Sequence, residues 1–479
     1  MAIDFEERAS VRAAAPRSSD TRTTAQAVRN TVAVVLAGGR GARLKQLTDW
    51  RAKPSVAFGG KFRIIDFTLS NCINSGIRRV NVCTQYKAHS LIRHVQKGWG
   101  FLDARFDEFV EVMPAQQRIN GDWYQGTADA VYQNIDILRR QDPQYILVLA
   151  GDHVYKMDYR RMIEEHVARG AKLSVACVEA PVAQAPALGV MRTDWRGRIT
   201  AFQEKPQSNP FTSPGDPNYV LASMGVYLFD AQYLFELLRE DADLSDSCHD
   251  FGKDLIPRCV ASGTEVYAHD FHGSCVNMTD GKPYWRDVGT IDAYWEANMD
   301  LTRVTPELNL YDRSWPIWTH LEQNPPAKFV FDDADRRGCA IDSLVSGGCI
   351  VSGSMVKRSI LFTNVRVYNH CRIEDSVILP SAEIGPRAIV RNAVIDKRCV
   401  VPEGMVIGMD PEEDRRRFHV TDKGRVLVVP AMLENLETAR GAERCIPGAE
   451  RLVIPGAEKL VIPGAAVAAM ARDPITASS

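Results

Sequence analysis

Three glycines and two arginines stand together in Leu36-Ala37-Gly38-Gly39-Arg40-Gly41-Ala42-Arg43-Leu44. Those residue types at that spacing suit one chemistry, the holding of phosphate. Glycine has no Cβ, so Gly38, Gly39 and Gly41 can turn the chain tightly and present bare N–H groups to an anion. Arginine adds permanently charged donors that match phosphate oxygens. Two familiar phosphate loops are excluded. A dinucleotide fingerprint would need glycine where Leu44 stands, and a Walker loop would end in Gly-Lys-Ser or Gly-Lys-Thr, which this stretch lacks. On glycines alone the segment reads equally well as a ligand-free strand-to-helix turn.

Charged residues further along supply partners. Arg43 and Lys53-Pro54 place cations just beyond the glycines. A loop of this kind can wrap a triphosphate, with amides on the inner phosphates and cations on the leaving pyrophosphate. Asp152 follows the apolar run Ile146-Leu147-Val148-Leu149-Ala150-Gly151, and Asp287 sits in Tyr284-Trp285-Arg286-Asp287-Val288-Gly289-Thr290. Carboxylates are hard oxygen ligands, so the two are expected to share one Mg²⁺ that also meets substrate phosphates. Either aspartate alone would serve as well as a cap or turn residue. Glu204-Lys205-Pro206 offers a cation for a sugar phosphate and an acceptor for sugar hydroxyls, and Ser223 offers another hydroxyl. Read as a surface ion pair, Glu204 and Lys205 would count for little. Trp123-Tyr124-Gln125-Gly126-Thr127-Ala128-Asp129-Ala130 opens a helix. There Gly126 permits close approach of a base or sugar, and capping by Thr127 is an equally sufficient explanation.

The elements that must position these residues follow from the apolar spacing. Val32–Leu36, Val80–Thr84, Tyr145–Ala150 and Leu173–Val178 read as strands. Asp66–Ser75, Ser90–Lys97, Thr127–Arg140 and Tyr159–Arg169 read as helices. The alternation predicts an α/β domain over 31–304, a Rossmann-like, mostly parallel sheet covered by helices. Such sheets bind ligands beyond the C-terminal ends of their strands, where the glycine loop and Asp152 fall. Prolines and aromatics over 305–340 predict an ordered linker.

From Val345 a new period begins. Val351, Val356, Leu361, Val367, Ile373, Ile378, Ile384, Val390, Ile395, Val401 and Ile407 recur at steps of five or six. That is too long for a helix face and is the hexapeptide pattern of a parallel β-helix over 341–427; an ordinary β-sandwich is the weaker alternative. Such coils often pack against copies of themselves, which favours an oligomer. Residues 1–30 read as a flexible tail. Residues 428–479 form an extension in which Ile-Pro-Gly returns every eight residues, with no chemistry to suggest.

Composition sets outer limits. Among 479 residues, 58 Lys and Arg nearly balance 60 Asp and Glu, so neither nucleic acid nor an anionic membrane is expected as a partner. The eleven cysteines include no Cys-x-x-Cys pair, which reads as reduced thiols in a cytoplasmic protein. No apolar run reaches the length of a membrane span.

Longer runs are more selective than the loop. Gly38 to Leu44 with Lys53-Pro54, Gly59-Gly60-Lys61-Phe62-Arg63-Ile64-Ile65-Asp66-Phe67, Ser70-Asn71-Cys72-Ile73-Asn74-Ser75-Gly76-Ile77, Pro114-Ala115-Gln116-Gln117-Arg118, Leu149 to Lys156 and Tyr284 to Thr290 resemble the sugar-nucleotide pyrophosphorylases. Within them the match is to the bacterial glucose-1-phosphate adenylyltransferases, over about 31–427. The resemblance implies a left-handed β-helix behind the catalytic domain. It also implies formation of ADP-glucose and pyrophosphate from ATP and glucose 1-phosphate, the committed step of glycogen synthesis.

It assigns catalytic roles to Arg43, Lys53 and Asp152, and Mg²⁺ to Asp152 and Asp287. ATP would lie on Leu36, Gly38, Gly39, Gly41, Arg43, Gln116 and Gly126. Glucose 1-phosphate would lie on Tyr124, Gly189, Glu204, Lys205 and Ser223. It implies a homotetramer whose sugar-phosphate or keto-acid effectors meet Arg51, Lys61, Arg63 and Lys397. Trp50 and Ala57 replace a lysine and a histidine of enteric relatives, which argues against fructose 1,6-bisphosphate. Fructose 6-phosphate or pyruvate is the expected activator, and phosphate or AMP the expected inhibitor. Two rivals stay open: a different nucleotide, and a non-catalytic regulatory subunit on the same fold. The Pro114 to Arg118 run argues against the first, and intact Arg43, Asp152, Lys205 and Asp287 against the second.

Overall fold

Val32, Ala33, Val34 and Val35 are all fully buried, as a strand covered on both faces requires. The structure, a computed structural model, describes residues 21–443 apart from 40, 117–122, 279–280 and 334. The Ile-Pro-Gly repeats and the first twenty residues lie outside the described residues. One unit of the chain ends at Leu433.

Strand β1 (Thr31–Leu36) runs parallel to β2 (Arg79–Thr84), and β2 to β3 (Phe109–Pro114). On its other side β1 takes β4 (Tyr145–Ala150), again parallel. After the short strand β5 (His153–Tyr155) come β6 (Leu173–Pro181), β7 (Gly189–Thr193), β8 (Ile199–Glu204), β9 (Tyr219–Asp230) and β10 (Val266–Asp270). β9 reverses direction and runs antiparallel to β4, β6 and β7. The order is β8-β7-β9-β4-β1-β2-β3, with β6 bonded to β9 and β10 parallel to β6. Two apolar cores cover the two faces of this sheet.

Two helices differ from the reading of the sequence. Part of the expected tail is a helix, α1 (Thr21–Arg29), whose Ala27 and Val28 are buried against the first core. Its residues are mostly polar, so only that short apolar edge marks it. The stretch Thr127–Arg140 is two helices, Thr127–Tyr132 and Ile135–Arg140. Between them the Asn134 side chain donates to Ala130 O and to the Tyr124 hydroxyl, both at 2.8 Å, an alternative to the helical ladder. Helix α2 (Ile64–Asn74) is buried along nearly its whole length.

The coil begins earlier than expected, with Lys328–Val330 parallel to Ile350–Ser352. Its three faces are separate ladders, parallel except where His419–Val420 pairs antiparallel with Val426–Val428 at the end of the third, which fits the left-handed β-helix. The recurring residues point inward: Val351, Val367, Ile384 and Val401 on one face, Val356, Ile373, Val390 and Ile407 on the next, Leu361, Ile378 and Ile395 on the third are all buried. One corner repeats a left-handed residue at Arg358, Asp375 and Asn392, with φ of 41°, 48° and 49°. Serines stack beside it: Ser376 N donates to Ser359 Oγ at 3.1 Å and Ala393 N to Ser376 Oγ at 3.3 Å. A third core, including Leu44, Phe58, Phe67 and Tyr294 with Ile360, Phe362, Val377 and Leu427, joins the coil to the sheet domain.

Candidate active site

Leu36 lies opposite Ala150 in the parallel pair β1 and β4, so the glycine loop and Asp152 emerge side by side. A second pairing brings in Asp287. Strand β11 (Trp285–Asp287) runs antiparallel to β5 with Asp287 opposite His153. Ligand atoms of Asp152, His153 and Asp287 consequently lie within 4.8 Å of one another. His153 Nδ1 is 3.1 Å from Met224 O; a carbonyl only accepts, so Nδ1 is the donor.

Lys53 stands between the two carboxylates, its Nζ 2.9 Å from Asp152 Oδ2 and 2.5 Å from Asp287 Oδ1. Its side chain is 5 % exposed. Burial works against every charge here, yet the charges offset one another. Burial alone would raise the Asp152 carboxyl; the Lys53 ammonium, with His153, holds it well below the ordinary range. Asp287 is lowered by the same partners against the same burial. Burial alone would lower Lys53, but the two carboxylates raise it above its ordinary 10.5. An ammonium lodged between two hard-oxygen donors is a stand-in for a metal cation, so these residues fit a divalent ion.

The glycine loop fits its neighbours closely. Gly41 has φ 61°, and a Cβ there would lie 2.9 Å from Lys53 Cβ. Leu36, Gly38, Gly39 and Gly41 line a cavity of about 430 Å³ with Lys53, Tyr124, Gly126, Asp152, Glu204 and Lys205. Arg43 is exposed and is not among the lining residues; it joins the site through Asp287, its Nη2 3.1 Å from Asp287 Oδ2. At Gly126 a Cβ would lie 2.2 Å from His249 O, so this position admits only glycine.

On the far wall Lys205 Nζ pairs with Glu204 Oε1. Lys205 adopts φ 48°, a strained conformation for a non-glycine residue and one that clusters at functional sites. Gly189 lies opposite Glu204 in the β7–β8 pair. Ser223 is buried, one step behind the wall, its Oγ 3.5 Å from the Tyr227 hydroxyl that does line the cavity. Gln116 is exposed and is not among the lining residues.

Among the lining residues that the sequence did not mark are Asp250, Phe251 and Gly252. Thr127 Oγ1 donates to Asp250 Oδ2 at 3.0 Å and accepts from Phe251 N at 3.0 Å, tying the Gly126 turn to Asp250 and Phe251. The usable signal was His249-Asp250-Phe251-Gly252, a polar turn with a glycine. His153 stands in the Leu149 to Lys156 run, where its residue type alone carries no role.

Arg51, Lys61, Arg63 and Lys397 come together elsewhere, in a cavity of about 1280 Å³ between the sheet domain and the coil. Trp50, at its edge, is 86 % exposed. Arg51 is buried: its Nε donates to Leu47 O at 2.7 Å and its Nη2 pairs with Asp396. Burial lowers Lys397 and Arg63, and neighbouring Arg51 lowers both further.

Comparison with known proteins gives the family. The nucleotidyl transferase family model matches residues 32–304, and the GlmU-like C-terminal hexapeptide model matches 325–428. The glucose-1-phosphate adenylyltransferase of Nitrosomonas europaea is 61 % identical over 424 residues, 88 % of this chain and 98 % of the relative. That of Nitrosospira multiformis is 60 % identical over 415 residues, 87 % and 97 % of the two chains. That of Dechloromonas aromatica is 61 % identical over 416 residues, 87 % and 94 %. With both halves matched and these relatives covered almost end to end, the chain belongs to the nucleotidyl transferase family and, within it, to the glucose-1-phosphate adenylyltransferases.

Proposed function

We propose that the chain transfers the adenylyl group of ATP to glucose 1-phosphate, giving ADP-glucose and pyrophosphate. The observation that carries this is the single cavity in which the glycine loop faces Glu204 and Lys205 across Lys53 and Asp152. A triphosphate and a sugar phosphate placed on those walls meet at the carboxylates.

The sugar phosphate is already an anion, so its attack on the α-phosphorus needs no general base. Its oxygen bonds to that phosphorus as the bond to the bridging oxygen breaks, and pyrophosphate leaves with the electron pair. What the reaction requires is alignment and neutralised charge. Arg43, Lys53 and the loop amides steady the departing pyrophosphate. Lys205 holds the sugar phosphate, while Glu204 and Tyr124 meet the sugar and Ser223 would reach it only through Tyr227. Asp152 and Asp287 would hold Mg²⁺, which when bound polarises phosphate oxygens as a Lewis acid. Gly126 lets the base approach, and Gln116 would have to turn inward to read it.

The interdomain cavity, lined by Arg51, Lys61, Arg63 and Lys397, serves as the effector site, with fructose 6-phosphate or pyruvate activating and phosphate or AMP inhibiting. The working form is a cytoplasmic homotetramer in glycogen synthesis. No described helix is long and apolar enough to cross a membrane. The deciding experiment is pyrophosphate release from ATP and glucose 1-phosphate with Mg²⁺, each nucleotide triphosphate tested in turn. Release with ATP alone supports the reading, and release only with another nucleotide overturns it.

A further inference from the structure

The polar side of helix α2 is buried, yet it lines no part of the catalytic cavity. Asp66, Ser70 and Asn71 are fully buried, and Asn74 is half-buried. Each grips the linker. Thr319 Oγ1 donates to Asp66 Oδ2 at 2.7 Å, Trp318 N to Ser70 Oγ at 2.8 Å and Trp315 Nε1 to Asn71 Oδ1 at 3.0 Å. Asn74 Nδ2 donates to Pro316 O at 2.9 Å.

Asn71 and its neighbour Thr68 also hold the segment around β5. Asn71 Nδ2 donates to Tyr155 O at 3.1 Å, and Asn71 Oδ1 accepts from Met157 N at 3.2 Å. Thr68 Oγ1 donates to Ala150 O at 3.1 Å. Helix α2 therefore holds both ends of the segment that carries Asp152 and His153.

Lys156, between Tyr155 and Met157, is 3 % exposed and turns toward the linker. Its Nζ donates to Asn309 O at 2.7 Å and lies 3.5 Å from Asp312 Oδ2. A buried ammonium is costly without partners, and here the linker supplies them. The next linker residues, Leu310, Tyr311, Asp312 and Arg313, line the interdomain cavity. Lys156 itself lines neither cavity.

We propose that Lys156 is a positioning residue for Asp152 and Asp287, and that through it the linker wall of the interdomain cavity sets the spacing of the two carboxylates. The inference rests on reading those carboxylates as the metal site of the proposed reaction. An anion seated against residues 310–313 then acts on catalysis by moving the partners of a charge that cannot do without them.

The test uses the full chain with Lys156→Met, Lys156→Arg and Asp312→Asn. Mn²⁺ binding is read by electron paramagnetic resonance, which needs no turnover. Fructose 6-phosphate, pyruvate and inorganic phosphate are the probes for the second cavity, their binding followed by calorimetry and their effect by pyrophosphate release. Lys156→Met is expected to bind Mn²⁺ about tenfold more weakly, to bind the probes as wild type does, and to lose the change in turnover they cause. Lys156→Arg restores most of both. Unaltered Mn²⁺ affinity in Lys156→Met, an unaltered response to the probes, or a wild-type chain indifferent to all three would overturn the proposal. If Lys156→Met does not fold, Asp312→Asn decides by the same Mn²⁺ criterion. A wild-type chain that binds Mn²⁺ but makes no ADP-glucose refutes the function alone, and the Mn²⁺ comparison still judges Lys156.

Discussion

The two cavities use the same charged residue types in opposite ways. In the smaller one each basic lining residue, among those described, already has an acid: Lys53 has Asp152 and Asp287, and Lys205 has Glu204. In the larger one, among the described residues, eight lysines and arginines line the space with two carboxylates, Asp312 and Glu322. The first is a balanced lattice whose charges hold one another at fixed points before any substrate arrives. The second carries an uncompensated positive field and is suited to an anion from solution. Balance serves a site that must stabilise charge appearing during a reaction. Imbalance serves a site that only has to bind.

The sharpest way to break the contrast is to remove charge from the balanced lattice. Asp152→Asn should lower turnover about a thousandfold, measured as ADP-glucose formed at saturating Mg²⁺. Retention of full turnover at limiting Mg²⁺ would remove Asp152 from the metal site. Next in size, Lys205→Ala should raise the KM for glucose 1-phosphate on the order of a hundredfold while moving the KM for ATP little. Equal effects on both would count against its role.

The contrast also has a pH signature. Lys53 is raised above 10.5, so its ion pairs persist below that value and are lost only as pH rises past it. Asp152 and Asp287 are lowered, so both stay ionised through mild acid. Lys397 is lowered by burial and by Arg51, so it sheds its proton before reaching 10.5. As pH climbs toward that value, the response to an anionic probe should fade severalfold while basal turnover holds. Parallel loss of both would show that the cavities do not differ in this way. The smallest effect is expected far from either cavity. Ser376→Ala removes one acceptor from the coil's serine stack and should cost about 1–2 kcal/mol, seen as a lower melting temperature with unchanged KM values.

What could be read in advance follows the same division. The coil was legible because one apolar residue per face recurs without exception from Val351 to Ile407. Its first rung was not, because Lys328 and Phe329 lie exposed at the open end, where nothing demands an apolar residue. In the sheet domain Asp152 was legible as a carboxylate after a buried strand. Its meeting with Asp287 depended on the β5–β11 register, which no local pattern encodes. Asp250 was missed because its task is to hold Thr127 and nearby backbone, and a turn aspartate with that task looks like any other. Helix α1 was missed because two buried apolar residues, Ala27 and Val28, are too few to make a periodic signal.

The corner at Arg358, Asp375 and Asn392 carries one further consequence. Each left-handed residue stands in register with the next because every rung between them has the same length. A substitution in the coil changes one position. The loss of a single residue would shift every later rung by one, turning inward side chains outward and unseating the serine stack. Between these corners the coil is thus governed by its count of residues, whereas toward its open end the rung from Leu344 to Ile360 is one residue shorter than the rung from Ile360 to Val377, so a change of length is absorbed there and not among the stacked serines.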